Sequence, residues 1–230
     1  MTKPTLILWD WNGTLLDDLD LCVESLNWLL KEFGYPQRYD TDQYREIFGF
    51  PIIDYYRRAG FDFSRDSFEV LAHRYMEHYI PESEACGPAA GAEETLAALS
   101  KAGAEQVILS ASPLPTLRRQ ARQLGLEGYF STLLGLGDIY AKSKVELGLD
   151  FLRRRGFAPE EALMVGDTVH DWEVAQALGV RCVLCSAGHQ PAHILRATGA
   201  PVISCLSQLE EVLYNFFHPP GLTACARRVY

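Results

Sequence analysis

Asp10, Asp167 and Asp171 stand where a chain could put carboxylates to chemical use. Asp10 ends the apolar run Leu6-Ile7-Leu8-Trp9 and leads into Trp11-Asn12-Gly13-Thr14-Leu15-Leu16-Asp17-Asp18. A short apolar run closed by an acid and a glycine turn fits a buried parallel strand, and open sheets present their chemistry at the carboxyl ends of such strands. A carboxylate held there on a rigid element is suited to nucleophilic catalysis. Asp167 leaves a second run, Leu163-Met164-Val165-Gly166, and Asp171 falls in the first turn of the helix that follows. Two hard oxygen donors converging on one sheet edge suit magnesium.

The elements that must position these acids fall into two blocks. Over 17–85 the apolar spacing is helical throughout. Asp17 or Asp18 caps a first helix closed by Gly34, Asp40 or Thr41 opens a short one ending near Phe48-Gly49, and a third follows Pro51 as far as Gly60. A fourth is predicted from about Ser64 to Tyr79, with Pro81 as its stop. From Gly91 onward helices alternate with strands predicted over 106–111, 130–134, 162–165, 180–184 and 201–204. Alternating units of this kind predict an α/β fold, a doubly wound parallel sheet with helices on both faces. The first strand then belongs to the later sheet. The expected division is a core of 1–16 and 88–230, interrupted by an all-helical cap over 17–87 that can close over the site and exclude water.

Composition narrows the class. The 230 residues are 48% hydrophobic and 22% charged, with 30 acids against 21 bases for a net charge of -9. So acidic a chain is poorly suited to nucleic acid or to an anionic membrane surface. No leader-like segment or run of membrane-spanning length is seen, and the expectation is a cytoplasmic protein. The six cysteines read as reduced, mostly buried thiols, and the lone Cys182-x-x-Cys185 as part of a strand rather than a metal or redox pair.

Asp10-x-Asn12-Gly13-Thr14-Leu15 resembles the first motif of the haloacid dehalogenase superfamily, mostly phosphatases that pass through an aspartyl-phosphate. The later motifs follow in the family's order, in the manner of its phosphoglycolate-phosphatase-like branch, whose Rossmann-like core carries a helical cap inserted just after the nucleophile strand. The resemblance implies that Asp10 attacks phosphorus and that Ser110 binds a phosphoryl oxygen. It implies substrate contacts at Gly13, Thr14, Ser110 and Ala111. A lysine balances the charge; Lys142 is ranked ahead of Lys144 by its spacing to Asp167. Magnesium is expected on Asp10, the carbonyl of Asn12, Asp167 and Asp171. The implied substrate is a small phosphorylated metabolite; the oligomeric state is left open.

Asn12 departs from the family pattern, which has an aspartate there to protonate the leaving group. An amide cannot exchange that proton at neutral pH, so slow hydrolysis of alkyl phosphates is expected. Two alternatives follow from the same departure. One is a phosphonatase, which needs a cap lysine, and Lys31 is the one offered. The other is a phosphate-binding or regulatory protein with little turnover. Phe48-Gly49-Phe50-Pro51 reads as a substrate-facing loop, Arg45, Arg57 and Arg58 as solvated surface side chains first and candidates for an anionic substrate tail second, Trp9 as core, Trp11 as lining the site, and His170 as an exposed residue without a role.

Overall fold

The structure, a computed structural model, describes residues 5–136 and 143–217. Strand β1 (Leu6–Trp9) is buried at every position, as a strand covered on both faces must be. Leu6 and Leu8 enter one hydrophobic cluster while Ile7 and Trp9 enter the other, on the opposite face. Strands β2 (Glu105–Pro113), β3 (Thr132–Leu136), β4 (Ala162–Gly166), β5 (Arg181–Cys185) and β6 (Val202–Ile203) join it in the order β3-β2-β1-β4-β5-β6, with every pair parallel. β1 lies between β2 and β4, so the crossovers turn opposite ways on its two sides and open a crevice at its carboxyl end. The predicted doubly wound sheet is the fold observed.

Between β1 and the first core helix lie α1 (Leu19–Glu32), α2 (Thr41–Ile47), α3 (Ile52–Arg58) and α4 (Phe68–Glu82). These four helices bury a cluster of their own that includes Leu26, Leu29, Tyr44, Tyr55 and Leu71. The sheet is flanked by α5 (Ala92–Lys101), α6 (Leu114–Gln123), α7 (Lys144–Arg155), α8 (Val169–Leu178), α9 (Ala192–Arg196) and α10 (Leu209–Phe217). Among the described residues no helix is long and apolar enough to cross a membrane.

Local chemistry explains where sequence and structure part. α4 starts later than Ser64 because that residue is used in a turn, its N–H and hydroxyl both donating to Asp62. Ser67 caps the helix instead, accepting from Val70 N. Pro81 does not stop α4 but sits in its last turn, where one lost ladder bond is tolerated. Asp18 occupies the N-cap of α1, yet its carboxylate makes no cap bond, and it is spent elsewhere. Cys182 and Cys185 lie in clusters on opposite faces of the sheet, which keeps their thiols apart.

Candidate active site

The crevice gathers its acids from three elements. Asp10 extends β1, its N–H donating to Val165 O at 2.8 Å. Asp167 leaves β4, and Asp171 lies in the first turn of α8, whose N-cap is Thr168. One Asp171 oxygen accepts from Thr168 N at 3.0 Å while Asp171 N donates to the Thr168 hydroxyl oxygen at 3.3 Å, the capping box that starts the helix, and the same carboxylate oxygen accepts from the Thr168 hydroxyl at 2.7 Å. The other accepts from Lys144 Nζ at 2.6 Å, and the same ammonium donates to Asp10 Oδ1 at 2.7 Å. Lys144 opens α7 behind the Ser143 capping box and is only 6% exposed. Asp167, fully buried, takes the Thr14 hydroxyl at 2.8 Å on one oxygen and His189 N at 2.7 Å on the other. Such close approach requires glycine. Gly13 has φ +71°, and a Cβ there would strike Asp167 and His189, while one at Gly188 would strike Asp167 and Gly13 O.

Burial, then Asp171, pushes Asp10 up to about 6 against the pull of Lys144. Burial also pushes Asp167 up to about 7, with His189 opposing and Asp171 and Asp10 adding to the rise. Asp171 is buried as well, but the Lys144 ammonium and the Thr168 donors outweigh that and hold it below the usual carboxylate range. Lys144 resists its own burial because Asp10 and Asp171 raise its proton affinity. Asp10, Asp167 and Asp171 thus form an oxygen-only cluster, their donor atoms within 4.8 Å of one another. Two of the three hold protons unusually tightly, the state of carboxylates short of positive charge. A hard divalent cation fits that donor set.

Beside this cluster lies a second buried network around Asn12 and Asp18, in which the sequence did not single out His189. Asn12 Nδ2 donates to Asp18 Oδ2 at 2.9 Å and to the Tyr79 hydroxyl at 2.7 Å, while Asn12 Oδ1 accepts from the Ser112 hydroxyl at 2.6 Å. Asp18 also accepts from Gly13 N at 2.8 Å and faces His189 Nε2 at 3.2 Å. His189 Nδ1 meets the Tyr44 hydroxyl at 3.2 Å. Burial would lower His189, but Asp18, with Asp167 and Asp10 behind it, raises it to about 9. Burial likewise opposes ionisation of Asp18, and His189, Tyr79 and Asn12 reverse this to hold it low. The network ties α1, α2 and α4 to the loops after β1 and β5. A usable signal existed: His189 follows a strand end on the same sheet edge as Asp10 and Asp167, where any titratable side chain is a candidate.

A cavity of about 270 Å³ opens above the acids. Asp10, Asn12, Ser110, Ala111, Lys144 and Asp171 border it, so six of the expected site residues are brought together. Ser110 is buried and accepts from Ser112 N at 3.0 Å. Gly13, Thr14 and Asp167 do not border the cavity; the Thr14 hydroxyl is given to Asp167 behind it. Lys142 lies outside the described residues. Trp11, expected to line the site, is instead core, because its indole N–H finds Gln120 Oε1 at 2.8 Å inside the sheet–helix interface. None of Arg45, Arg57 and Arg58 borders the cavity. Arg45 binds the carbonyls of Ser186 and Gly188, Arg58 that of Ile47, and Arg57 pairs with Asp54. Phe48 and Phe50 do line it, and so does His170, stacked on Phe50 with centroids 4.4 Å apart.

The sequence pattern of the haloacid dehalogenase-like hydrolase family matches residues 7–185. Tyrosine-protein kinase PtkA of Mycobacterium tuberculosis is 28% identical, over 91% of this chain and 72% of its own length. Its solved structure superposes with a TM-score of 0.76, covering 93% of this chain and 99% of that one at 27% identity. Phosphoglycolate phosphatase of Pseudomonas putida is 27% identical, over 82% of this chain and 71% of its own. A haloacid dehalogenase-like family hydrolase from Streptococcus pneumoniae shares the fold with a TM-score of 0.79 at 22% identity, over 93% of this chain and 99% of that one.

Proposed function

This chain belongs to the haloacid dehalogenase-like hydrolases, and we propose that it is a magnesium-dependent phosphatase acting on a small phosphorylated metabolite through an aspartyl-phosphate on Asp10. That it is a hydrolase of phosphate esters follows from the family together with its phosphatase-named relatives. The observation that carries the rest is the meeting of Asp10, Lys144, Asp167 and Asp171 at the carboxyl ends of β1 and β4, beside the cavity that Asp10, Lys144 and Asp171 border.

Lys144 holds Oδ1 of Asp10, which leaves Oδ2 as the attacking atom. Even pushed up to about 6, Asp10 is ionised at neutral pH and can act as nucleophile. Its oxygen forms the bond to phosphorus as the ester oxygen departs, and water then releases phosphate and restores the carboxylate. Lys144 stays charged throughout and neutralises the phosphoryl oxygens, with Ser110 donating its hydroxyl to one of them. Asp10, Asp167, Asp171 and the carbonyl of Asn12 would hold magnesium, which when bound offsets negative charge on the transferring group. Asp171 has the second task of anchoring Lys144. A phosphonatase reading lacks its lysine, since Lys31 is exposed and lies away from the cavity.

The test is hydrolysis of aryl phosphate by the intact protein. Activity should vanish with chelator and return with magnesium, and Asp167→Asn should need several-fold more metal for half-activation. Titration curves of parent and variant that overlay would remove Asp167 from the metal site.

A further inference from the structure

On the phosphatase reading above, we infer that the group esterified to phosphate is an uncharged aromatic alcohol. The wall facing the acids is built by the helical insert. Phe48, Phe50 and Ile52 supply one side, from the end of α2 to the start of α3. Tyr75, Met76 and Tyr79 of α4 supply the other. The rings are already fixed against partners: Phe48 lies 4.8 Å from the His189 ring, Phe50 stacks on His170, and Tyr75 stacks on Tyr79 with centroids 5.9 Å apart. The Tyr79 hydroxyl is spent on Asp18 at 2.5 Å, so that side chain offers the cavity its ring. Such walls favour a flat apolar ligand, which gains both buried area and ring contacts.

The charges argue the same way. Among the described lining residues the lysine is Lys144, held between Asp10 and Asp171, and His189 is paired with Asp18. His170, the remaining ring, faces Glu173 at 3.3 Å. The arginines nearest in sequence to this wall, Arg45, Arg57, Arg58 and Arg74, are bonded elsewhere, Arg74 to Glu32 and Glu77. A substrate with a carboxylate tail would therefore bury that charge among apolar side chains and near Asp18, with no unpaired lysine or arginine among the described lining residues to meet it. A neutral ring meets no such cost.

The experiment is calorimetric titration of the intact protein with magnesium and two stable probes, benzylphosphonate and phosphonoacetate. Both present the same methylenephosphonate head, one carrying a phenyl ring and the other a carboxylate. Benzylphosphonate should bind at least about tenfold more tightly, the scale set by burying one ring. Phe50→Ala, at a position already 39% exposed, should weaken benzylphosphonate by about three- to tenfold. Phosphonoacetate binding as well or better overturns the inference, as does failure of both probes to bind, or a Phe50→Ala variant indistinguishable from parent. Because binding needs no turnover, these outcomes are separate from those of the hydrolysis assay. Ring preference without any hydrolysis would sink the phosphatase reading alone, and hydrolysis with a carboxylate preference would sink the ring alone.

Discussion

Replacing Asn12 by aspartate tests what the missing acid costs. Asn12 Nδ2 lies 2.9 Å from Asp18 Oδ2, so Asn12→Asp sets a second carboxylate against a buried one. At that separation and an effective dielectric constant of about 20, two unit charges repel by about 6 kcal/mol. That is equivalent to about four pK units. His189, paired with Asp18 at 3.2 Å, offsets part of it. The two carboxyls should therefore share one proton through neutral pH, as close carboxylate pairs do. A protonated carboxyl beside the ester oxygen is a general acid, worth about a hundredfold or more for a poor leaving group and little for a good one. The assay compares kcat/KM for 4-nitrophenyl phosphate and benzyl phosphate, two ring-bearing esters that differ in how readily the alcohol leaves as an anion. The parent should cleave the nitrophenyl ester far faster. Asn12→Asp should raise the benzyl ester by about a hundredfold near pH 6.5 and leave the nitrophenyl ester within a few-fold, with the gain fading as the shared proton is lost. If the parent cleaves both esters equally well and the variant changes neither, the acid is supplied elsewhere and the reasoning fails.

Two further outcomes follow from the buried charges. Lys144→Met leaves Asp10 and Asp171 without their cation and should cost about 3–5 kcal/mol of stability at neutral pH, less near pH 4 where the variant's unpaired acids can take up protons. Urea unfolding reads this, and a loss below about 1 kcal/mol would contradict it. His189, raised from 6.5 to about 9, contributes stability that is fully present below about pH 6.5 and is lost as pH rises through about 9, roughly 3 kcal/mol in all. Parent stability should therefore fall more steeply than that of His189→Gln across this window; parallel curves would show that the Asp18–His189 pair does not carry the linkage.

The sheet was legible because its signals are local. Strands β1, β4 and β5 are short apolar runs that end at a turn or bend, and Asp10 and Asp167 sit at the ends of the first two, which lie side by side. Ser143 before Lys144 and Thr168 before Asp171 are capping boxes visible in one dimension, and they hold the lysine and the acid in place. What escaped depends on contacts between distant segments. Asp18 has the right type and position for a helix cap, but Asn12, Gly13, Tyr79 and His189 take its oxygens first. Arg45 reads in one dimension as a solvated side chain or a candidate anion receptor, and is neither: the loop after β5 presents it with two carbonyls 141 and 143 residues away in sequence. Trp11 carries no mark to distinguish a core indole from a site-lining one; Gln120 decides it, 109 residues on.

The most direct test of covalent catalysis at Asp10 is to quench turnover in acid within the first cycle and map the labelled peptide. A phosphoryl group from the substrate should be found on Asp10, should disappear on chase with unlabelled substrate, and should be absent from Asp10→Asn, which should also lack turnover. Label on any other residue, or an Asp10→Asn protein that still turns over, would contradict the assignment.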